Sequence, residues 1–392
     1  MRAPGAMGAW VAMRALALAA FVSIGVLPGA ALASDRYVVI VSGAAGSPDL
    51  AEQHAAWRLA LVTTLRDKMQ LPADHLIVLT DKATSTSGAG ESAAGPGVPG
   101  GPGGPGRTVT ATPTPAAANA QPDAKADAKT EMAARLAEID AQAQSATRDN
   151  VRATLTRLAR DMKRDDVVMV VLFGHSTFDG VDAKFNLVGP DLEAAEWERL
   201  VTAIPGRVVF VNTTAASAPF MKRLAGPGRV VITATDNPAQ RYQTVFPEFF
   251  AQAFDAKDVD LDKDGRVSIW EAFAYASTQV KLYYRQRGQL SVERPVLDDT
   301  GDGVGKEAGE TGADGAIASR TFLDASDDPG SGAGPALSEL INRRNVLEQE
   351  FEDLKRRRGF MPAGDYEKQR DILLIDIARI SHEIRLEQRK RS

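Results

Sequence analysis

The sequence contains no cysteine among its 392 residues. This absence excludes disulfide bonds and a cysteine nucleophile, whose thiolate is the side chain that attacks most readily near neutral pH. It also excludes a lipoprotein anchor, because no cysteine follows the apolar N-terminal run. The stability of the fold must therefore come from core packing or from a bound ion.

Two further features are missing after the N-terminus. The formal net charge is −5, so the chain lacks the basic surplus that a nucleic-acid-binding surface needs. No later segment approaches the roughly 18 to 20 apolar residues that a membrane-spanning helix requires. We therefore expect no nucleic-acid partner, and no membrane span once the signal peptide is cleaved.

The N-terminus has the three parts of a secretory signal peptide. Arg2 and Arg14 supply positive charge, and residues 15–27 form an apolar run. Ala31 and Ala33 place small residues at the positions that a signal peptidase recognises. The pattern predicts that residues 1–33 are a signal peptide and that the protein is exported to the periplasm or secreted. The alternative is an uncleaved anchor helix.

Short apolar runs alternate with helical patterns along residues 34–330, which we take as one domain. A strand at residues 37–41, a helix at 48–69 and a strand at 75–79 form a βαβ unit. The helix carries an apolar stripe that includes one polar residue, and its members are Leu50, His54, Trp57, Leu61 and Leu65. Three more strands are predicted at 166–173, 207–211 and 229–233. The alternation predicts an α/β fold with a mostly parallel sheet and helices on both faces.

Two segments depart from this alternation. Residues 84–129 are rich in Gly, Pro, Ala, Ser and Thr, and they predict a disordered insertion because they offer almost no large apolar side chain to bury. Thr147 then predicts the N-cap of a helix that runs to Met162.

The tail, residues 331–392, predicts a helical hairpin or short coiled coil. Its two apolar stripes are separated by a turn at residues 359–364, and they comprise Leu337, Leu340, Ile341, Leu347, Phe351 and Leu354, then Tyr366, Leu373, Ile377, Ile380 and Ile384. The tail either binds a partner, with self-association as one form, or packs back on the main domain.

The candidate catalytic residues follow two of the predicted strands. Ligands of parallel α/β sheets bind at the carboxyl ends of the strands, where the sequence places His175 and, after the next strand, Thr213 and Thr214. Ser217 lies slightly further on. A hydroxyl needs a well-placed base and an oxyanion hole to act as a nucleophile, and the segment lacks the Gly-x-Ser-x-Gly turn that serves serine.

Several segments together resemble the caspase/legumain-like cysteine peptidases, in particular their bacterial C13-type branch. They are residues 37–42, 173–176 (Phe-Gly-His-Ser), 178–180, 184–187, 189–192 and 209–214. The resemblance extends to about Gly305 and implies a caspase-like sheet. It implies that His175 matches the catalytic histidine of the family and that Thr214 occupies the nucleophile position. A shift of one residue would put Ala215 there instead.

The departures from the family pattern concern the catalytic residues. The resemblance implies a glycine after the histidine, with its backbone N–H directed at the oxyanion, and Ser176 replaces that glycine. Ser217 is followed by Ala218, where the family has Ser-Gly. We therefore predict a catalytically inactive pseudo-peptidase that binds a peptide or protein partner. One alternative is a peptidase-like hydrolase that uses Thr214 or Ser217 with His175. Another is a calcium-dependent structural protein.

Residues 260–271 fit the twelve-residue EF-hand loop at each diagnostic position. The expected calcium ligands are the carboxylates of Asp260, Asp262 and Asp264, the backbone carbonyl of Arg266, a water held by Ser268, and both carboxylate oxygens of Glu271. Gly265 permits the sharp turn, and helices are predicted at 244–256 and 268–285. Hard oxygen ligands and loop length favour Ca²⁺ over Mg²⁺. The alternative is an Asp-rich turn that caps a helix without metal.

A second acidic segment, residues 298–303, resembles this loop only superficially. It lacks a glutamate at the required offset from its aspartates. We expect a Gly-rich surface turn there rather than a second metal site.

Overall fold

The structure, a computed structural model, describes residues 34–81, 122–310 and 312–324, and most of residues 340–389. The predicted signal peptide and most of the predicted insertion lie outside the described residues. The first part of the predicted tail, up to residue 339, lies outside them as well.

The described strands form two sheets. In chain order the strands are β1 (Arg36–Ser42), β2 (Leu76–Thr80), β3 (Gln144–Ser145), β4 (Val167–Phe173), β5 (Ser176–Phe178), β6 (Ala183–Phe185), β7 (Leu192–Glu193), β8 (Arg207–Asn212), β9 (Arg229–Thr233) and β10 (Val296–Asp298). The central seven-stranded sheet has the order β10-β9-β8-β4-β1-β2-β3, and β5, β6 and β7 form a small antiparallel sheet. All neighbours in the central sheet are parallel except β9 and β10.

Eight helices are bounded within the described residues. They are α1 (Pro48–Thr63), α2 (Pro122–Gln142), α3 (Arg148–Asp161), α4 (Ala194–Thr202), α5 (Ala218–Leu224), α6 (Phe246–Ala253), α7 (Ile269–Gln286) and α8 (Ala363–Arg389). A π-helical turn, Thr64–Lys68, extends α1. Thr147 caps α3 through a hydrogen bond to the Asn150 N–H, as the sequence predicts.

The two faces of the central sheet fill two separate cores. Ile40 and Met169 pack on one face with α1, α6 and α7. Val39 and Val170 pack on the other with α3, α4 and α5. Neighbouring residues of a strand point to opposite faces, so a strand that is covered on both sides must be apolar throughout. Each such buried side chain contributes about 1.5–3 kcal/mol to the stability of the fold. The predicted mostly parallel α/β fold class is confirmed.

The structure differs from the sequence-based expectation at two points. Helix α2 begins at Pro122, inside the segment expected to be disordered to residue 129. The reason is local, because residues 122–142 are rich in Ala, Glu, Asp and Lys with the proline at the first helical position. The small sheet and the antiparallel edge strand β10 were not predicted, since strands of two or three residues are too short to show a period.

The described part of the tail is helical. The described residues between Leu340 and Arg357 have helical backbone, Arg358–Phe360 forms a 3₁₀ turn, and α8 follows. Ile380 and Ile384 of α8 are buried against Leu340 and Leu347. Among the described residues, no helix is at once long and apolar enough to cross a bilayer.

Candidate functional site

A pocket of about 210 Å³ lies at the carboxyl ends of β4 and β8. These strands are parallel neighbours, and Leu172 pairs with Asn212, so the residues after each strand emerge at one edge of the sheet. The strand ends, α1 and the segment that leads into α6 line the pocket with Leu50, His54, Trp57, Gly174, His175, Thr213, Ala215, Arg241, Gln243, Thr244 and Pro247. The predicted position of His175 beside Thr213 is therefore the observed one.

The backbone directs His175 toward the loop that follows β1. Gly174 has a φ of 150°, and a Cβ there would lie 3.3 Å from the Phe185 ring, so glycine suits the position. The Nε2 atom of His175 lies 3.1 Å from the carbonyl oxygen of Ala45. A carbonyl oxygen only accepts, so Nε2 of His175 carries the proton that is donated in this hydrogen bond.

The hydroxyl groups beside His175 are engaged elsewhere. Thr213 Oγ1 donates to the Leu172 carbonyl at 2.6 Å, and Thr214 Oγ1 donates to Asn212 Oδ1 at 2.8 Å. Ser217 Oγ lies 3.1 Å from Thr235 Oγ1. All three serine and threonine side chains are buried. Within the described part of the chain, no hydrogen bond joins any of them to His175, so no nucleophile–base pair is formed.

The position assigned to the nucleophile offers no reactive group to the pocket. Thr214 is buried and is not among the lining residues, whereas Ala215, the position reached by a shift of one residue, does line the pocket. A methyl group cannot attack a carbonyl carbon. Neither alignment therefore provides an accessible nucleophile at this edge.

His54 is a pocket residue that sequence reasoning placed only in the apolar stripe of α1. It is 3% exposed, and its ring centroid lies 5.8 Å from that of His175. Its Nδ1 has no hydrogen-bond partner among the residues that the structure describes. Burial, together with smaller contributions from the nearby His175 and Arg58, lowers the pKa of His54 to about 4. Its imidazole is therefore neutral at physiological pH. A polar residue within a buried stripe was the signal in the sequence.

None of the described residues that line the pocket carries a carboxylate. Arg241 supplies a positive charge to the lining, and the other polar groups are His54, His175, Gln243 and two threonines. Arg and neutral His donate hydrogen bonds to carbonyl and carboxylate oxygens. The pocket therefore suits a ligand that presents such oxygens, as a peptide does.

The EF-hand-like loop brings its three aspartates together. Carboxylate oxygens of Asp260, Asp262 and Asp264 all lie within 4.8 Å of one another. Lys263 and Gly265 both have positive φ, at 61° and 88°, which turns the chain around the cluster. Three hard oxygen donors at this spacing can converge on one divalent cation.

Glu271 lies beside the cluster, not within it. One of its carboxylate oxygens accepts from the Leu261 N–H at 2.8 Å, and the other accepts from the Ser268 N–H and hydroxyl at 2.9 and 2.8 Å. The Ser268 hydroxyl in turn accepts from the Glu271 N–H, which completes the capping box of α7. Glu271 therefore links the loop to the helix.

Arg266 is held by its side chain as well as its backbone. Its N–H donates to Asp264 Oδ1 at 2.8 Å, and its guanidinium pairs with Asp324 and lies 3.8 Å from the centre of the Phe322 ring. This anchoring fixes the peptide whose carbonyl is the expected ligand. Arg266 thus connects the loop to the segment that contains Phe322 and Asp324.

The negative charges in the loop are crowded. The pKa of Asp262 is raised to about 7 by desolvation and by the nearby Asp264, although half of the Asp262 side chain is exposed. Arg344 opposes this rise. Its guanidinium lies 3.0 Å from Asp264 Oδ2 and 3.7 Å from Asp262 Oδ2, and its side chain is 5% exposed. No local sequence pattern marks Arg344 as a neighbour of the loop, because 80 residues separate it from Asp264.

The second acidic segment has a structural role. Asp298 accepts from the N–H groups of Gly301 and Gly303, and Asp299 accepts from those of Gly315 and Ala318, at 2.8 to 2.9 Å. Both aspartates are buried. Their carboxylates hold loop backbone, as expected of a turn.

Comparison with known proteins adds little to this geometry. No family model and no curated protein matches the chain. The solved structure of protein GSU0716 from Geobacter sulfurreducens is similar to it at 10% identity and a TM-score of 0.36, over 67% of this chain and 92% of that chain. A likeness this weak carries no argument, so the function rests on the site.

Proposed function

We propose that the protein is an exported pseudo-peptidase related to the caspase/legumain-like family, and that its His175 pocket binds a peptide without cleaving it. The observation that carries the proposal is the arrangement of the hydroxyls. Thr213, Thr214 and Ser217 are buried and bonded to other groups, while His175 bonds to the Ala45 carbonyl. The chain offers no thiol as a substitute.

The peptide would be held through its oxygens. Arg241 and the N–H groups of Gln243 can donate to backbone carbonyls or to an acidic side chain, and the neutral His54 adds a polar atom without adding charge. Leu50, Trp57 and Pro247 supply the apolar part of the lining. Concave sites that combine apolar walls with convergent polar groups are typical of ligand sites.

We also propose that the 260–271 loop binds Ca²⁺. Asp260, Asp262 and Asp264 would supply carboxylate oxygens, Arg266 its carbonyl, Ser268 a bound water, and Glu271 two further oxygens. The bound ion would neutralise the crowded carboxylates and fix the connection between α6 and α7. Its role is structural, since no described pocket residue belongs to the loop.

Peptide binding and cleavage are measured on the same samples. A general peptide library is incubated with the full chain, with and without calcium, and both retention and hydrolysis are recorded. We expect retention without hydrolysis, weakened at least about tenfold in Arg241→Ala because a charge-assisted hydrogen bond of 1.5–3 kcal/mol is lost. Arg223→Ala is the matched control, because Arg223 is an exposed arginine of α5 that pairs with Glu198 outside the pocket.

Two results would overturn the pseudo-peptidase proposal. Hydrolysis that His175→Ala abolishes would establish the hydrolase alternative, and Thr214→Val and Ser217→Ala would then identify the nucleophile. Absence of any peptide retention, with calcium binding intact, would leave the calcium-dependent structural protein.

A further inference from the structure

Arg344 brings the C-terminal segment into the calcium loop. It lies far along the chain from the loop, yet its guanidinium donates a hydrogen bond to Asp264 Oδ2 at 3.0 Å and lies 3.7 Å from Asp262 Oδ2. Both Arg344 and Asp264 are buried, at 5% and 8% side-chain exposure. The contact is therefore shielded from solvent, unlike the many exposed ion pairs of the chain.

The carboxylates that Arg344 contacts are the expected ligands at positions 3 and 5 of the loop. The oxygen ligands of Ca²⁺ lie at about 2.3–2.6 Å from the ion. A bound Ca²⁺ would therefore lie close to the guanidinium, and the two cations would repel each other. Because the site is partly buried, the repulsion between them is weakly screened. Calcium and Arg344 therefore stabilise the same negative charges and disfavour each other.

The helices of the tail also make a small core of their own. Ile380 and Ile384 of α8 pack with Leu340 and Leu347, which flank Arg344 in the chain. These contacts lie within the tail and do not depend on the loop. The tail can thus keep its own packing when Arg344 leaves the carboxylates.

We propose that the segment 340–389 is a calcium-displaceable arm, held on the loop by Arg344 and released from it when Ca²⁺ binds. The proposal rests on the proposed calcium site and adds its regulation. By linkage, the coupling is reciprocal: the docked arm weakens calcium binding by the same factor by which calcium weakens arm docking.

The experiment uses the full chain, calcium chloride as the only ligand, and Arg344→Gln. Arg343→Gln is the matched control, because Arg343 is the exposed neighbour. Calorimetry should give tighter calcium binding in Arg344→Gln by at least about fivefold, the lower end of usual coupling factors, and no change in Arg343→Gln. Hydrogen exchange in the wild type should show faster exchange across 340–357 on calcium addition.

The outcomes separate the two proposals. Equal calcium affinities for the wild type and Arg344→Gln, or slower exchange of the arm with calcium, would overturn the arm proposal and leave the calcium site standing. No binding by either protein at millimolar calcium would overturn both. Should Arg344→Gln fail to fold, Arg344→Lys keeps the charge but loses the planar guanidinium, and it should tighten calcium binding by a smaller factor.

Discussion

His54 and Glu293 are two buried groups that lie far apart in sequence. The stability of the protein should change with pH in opposite directions because of them, so that the two effects cancel. His54 is a neutral imidazole in the pocket, and burial lowers its pKa to about 4. Glu293 lies under the start of α6, where its oxygens accept from the Val245 and Phe246 N–H groups at 2.9 and 2.7 Å and from the Tyr284 hydroxyl at 3.2 Å. Desolvation raises the pKa of Glu293 to about 7, against the effect of these hydrogen bonds.

The sign differs for the two groups because one loses and the other gains a proton on folding. The folded pKa of His54 lies below its usual 6.5, so the unfolded chain binds more protons and stability rises with pH between about 4 and 6.5. The folded pKa of Glu293 lies above its usual 4.5, so stability falls with pH between about 4.5 and 7. At 1.36 kcal/mol per pKa unit, each group changes the free energy of unfolding by about 3 kcal/mol.

Between pH 4.5 and 6.5 the two slopes should cancel, and removing either group should expose the other. Urea denaturation at several pH values gives the free energy of unfolding. Glu293→Gln should become more stable as pH rises through this window, and His54→Asn should become less stable, each by about 3 kcal/mol relative to the wild type. His382→Asn, an exposed imidazole on α8, controls for loss of a histidine. Parallel curves for the two variants would contradict the opposite pKa shifts of His54 and Glu293.

Two further predictions concern the acidic loops. Calcium at a hundredfold excess over its dissociation constant should stabilise the protein by about 2.7 kcal/mol, which is measured as a rise in melting temperature. Asp260→Ala should lose this rise, and the control Asp302→Asn, in the second acidic turn, should keep it. Asp299→Ala should lower the free energy of unfolding by about 3 kcal/mol, because the buried N–H groups of Gly315 and Ala318 would lose their hydrogen-bond acceptor. Urea denaturation measures this loss, and a change below 1 kcal/mol would contradict the assigned role.

The central strands could be predicted because the apolar pattern that marks each of them lies within the strand itself. A strand buried on both faces must be apolar at every position, so the runs at 166–173 and 229–233 stand out in the sequence, and the structure has β4 and β9 there. The positions of His175 and Thr213 follow from the same rule, since parallel neighbours end at one edge. The aspartates of the calcium loop are likewise close in the chain.

The contacts that decide the chemistry could not be predicted, because each joins distant segments. His175 contacts the Ala45 carbonyl, 130 residues away in the chain, and Arg344 contacts Asp264, 80 residues away. Helical spacing placed His54 on the buried side of α1, but not beside His175. The bonds that engage the hydroxyls of Thr214 and Ser217 depend on side-chain rotamers, which composition and periodicity do not specify.

The pocket and the calcium loop are joined by one helix. Thr244 lines the pocket and donates to the Thr213 carbonyl at 2.6 Å, which ties the start of α6 to the end of β8. The loop lies between the end of α6 and the start of α7, and these helices pack together on the sheet. An ion in the loop would therefore restrict the helix whose first turn, with Pro247, forms a pocket wall. Such restriction would lower the ordering cost of binding a peptide in the adjacent pocket.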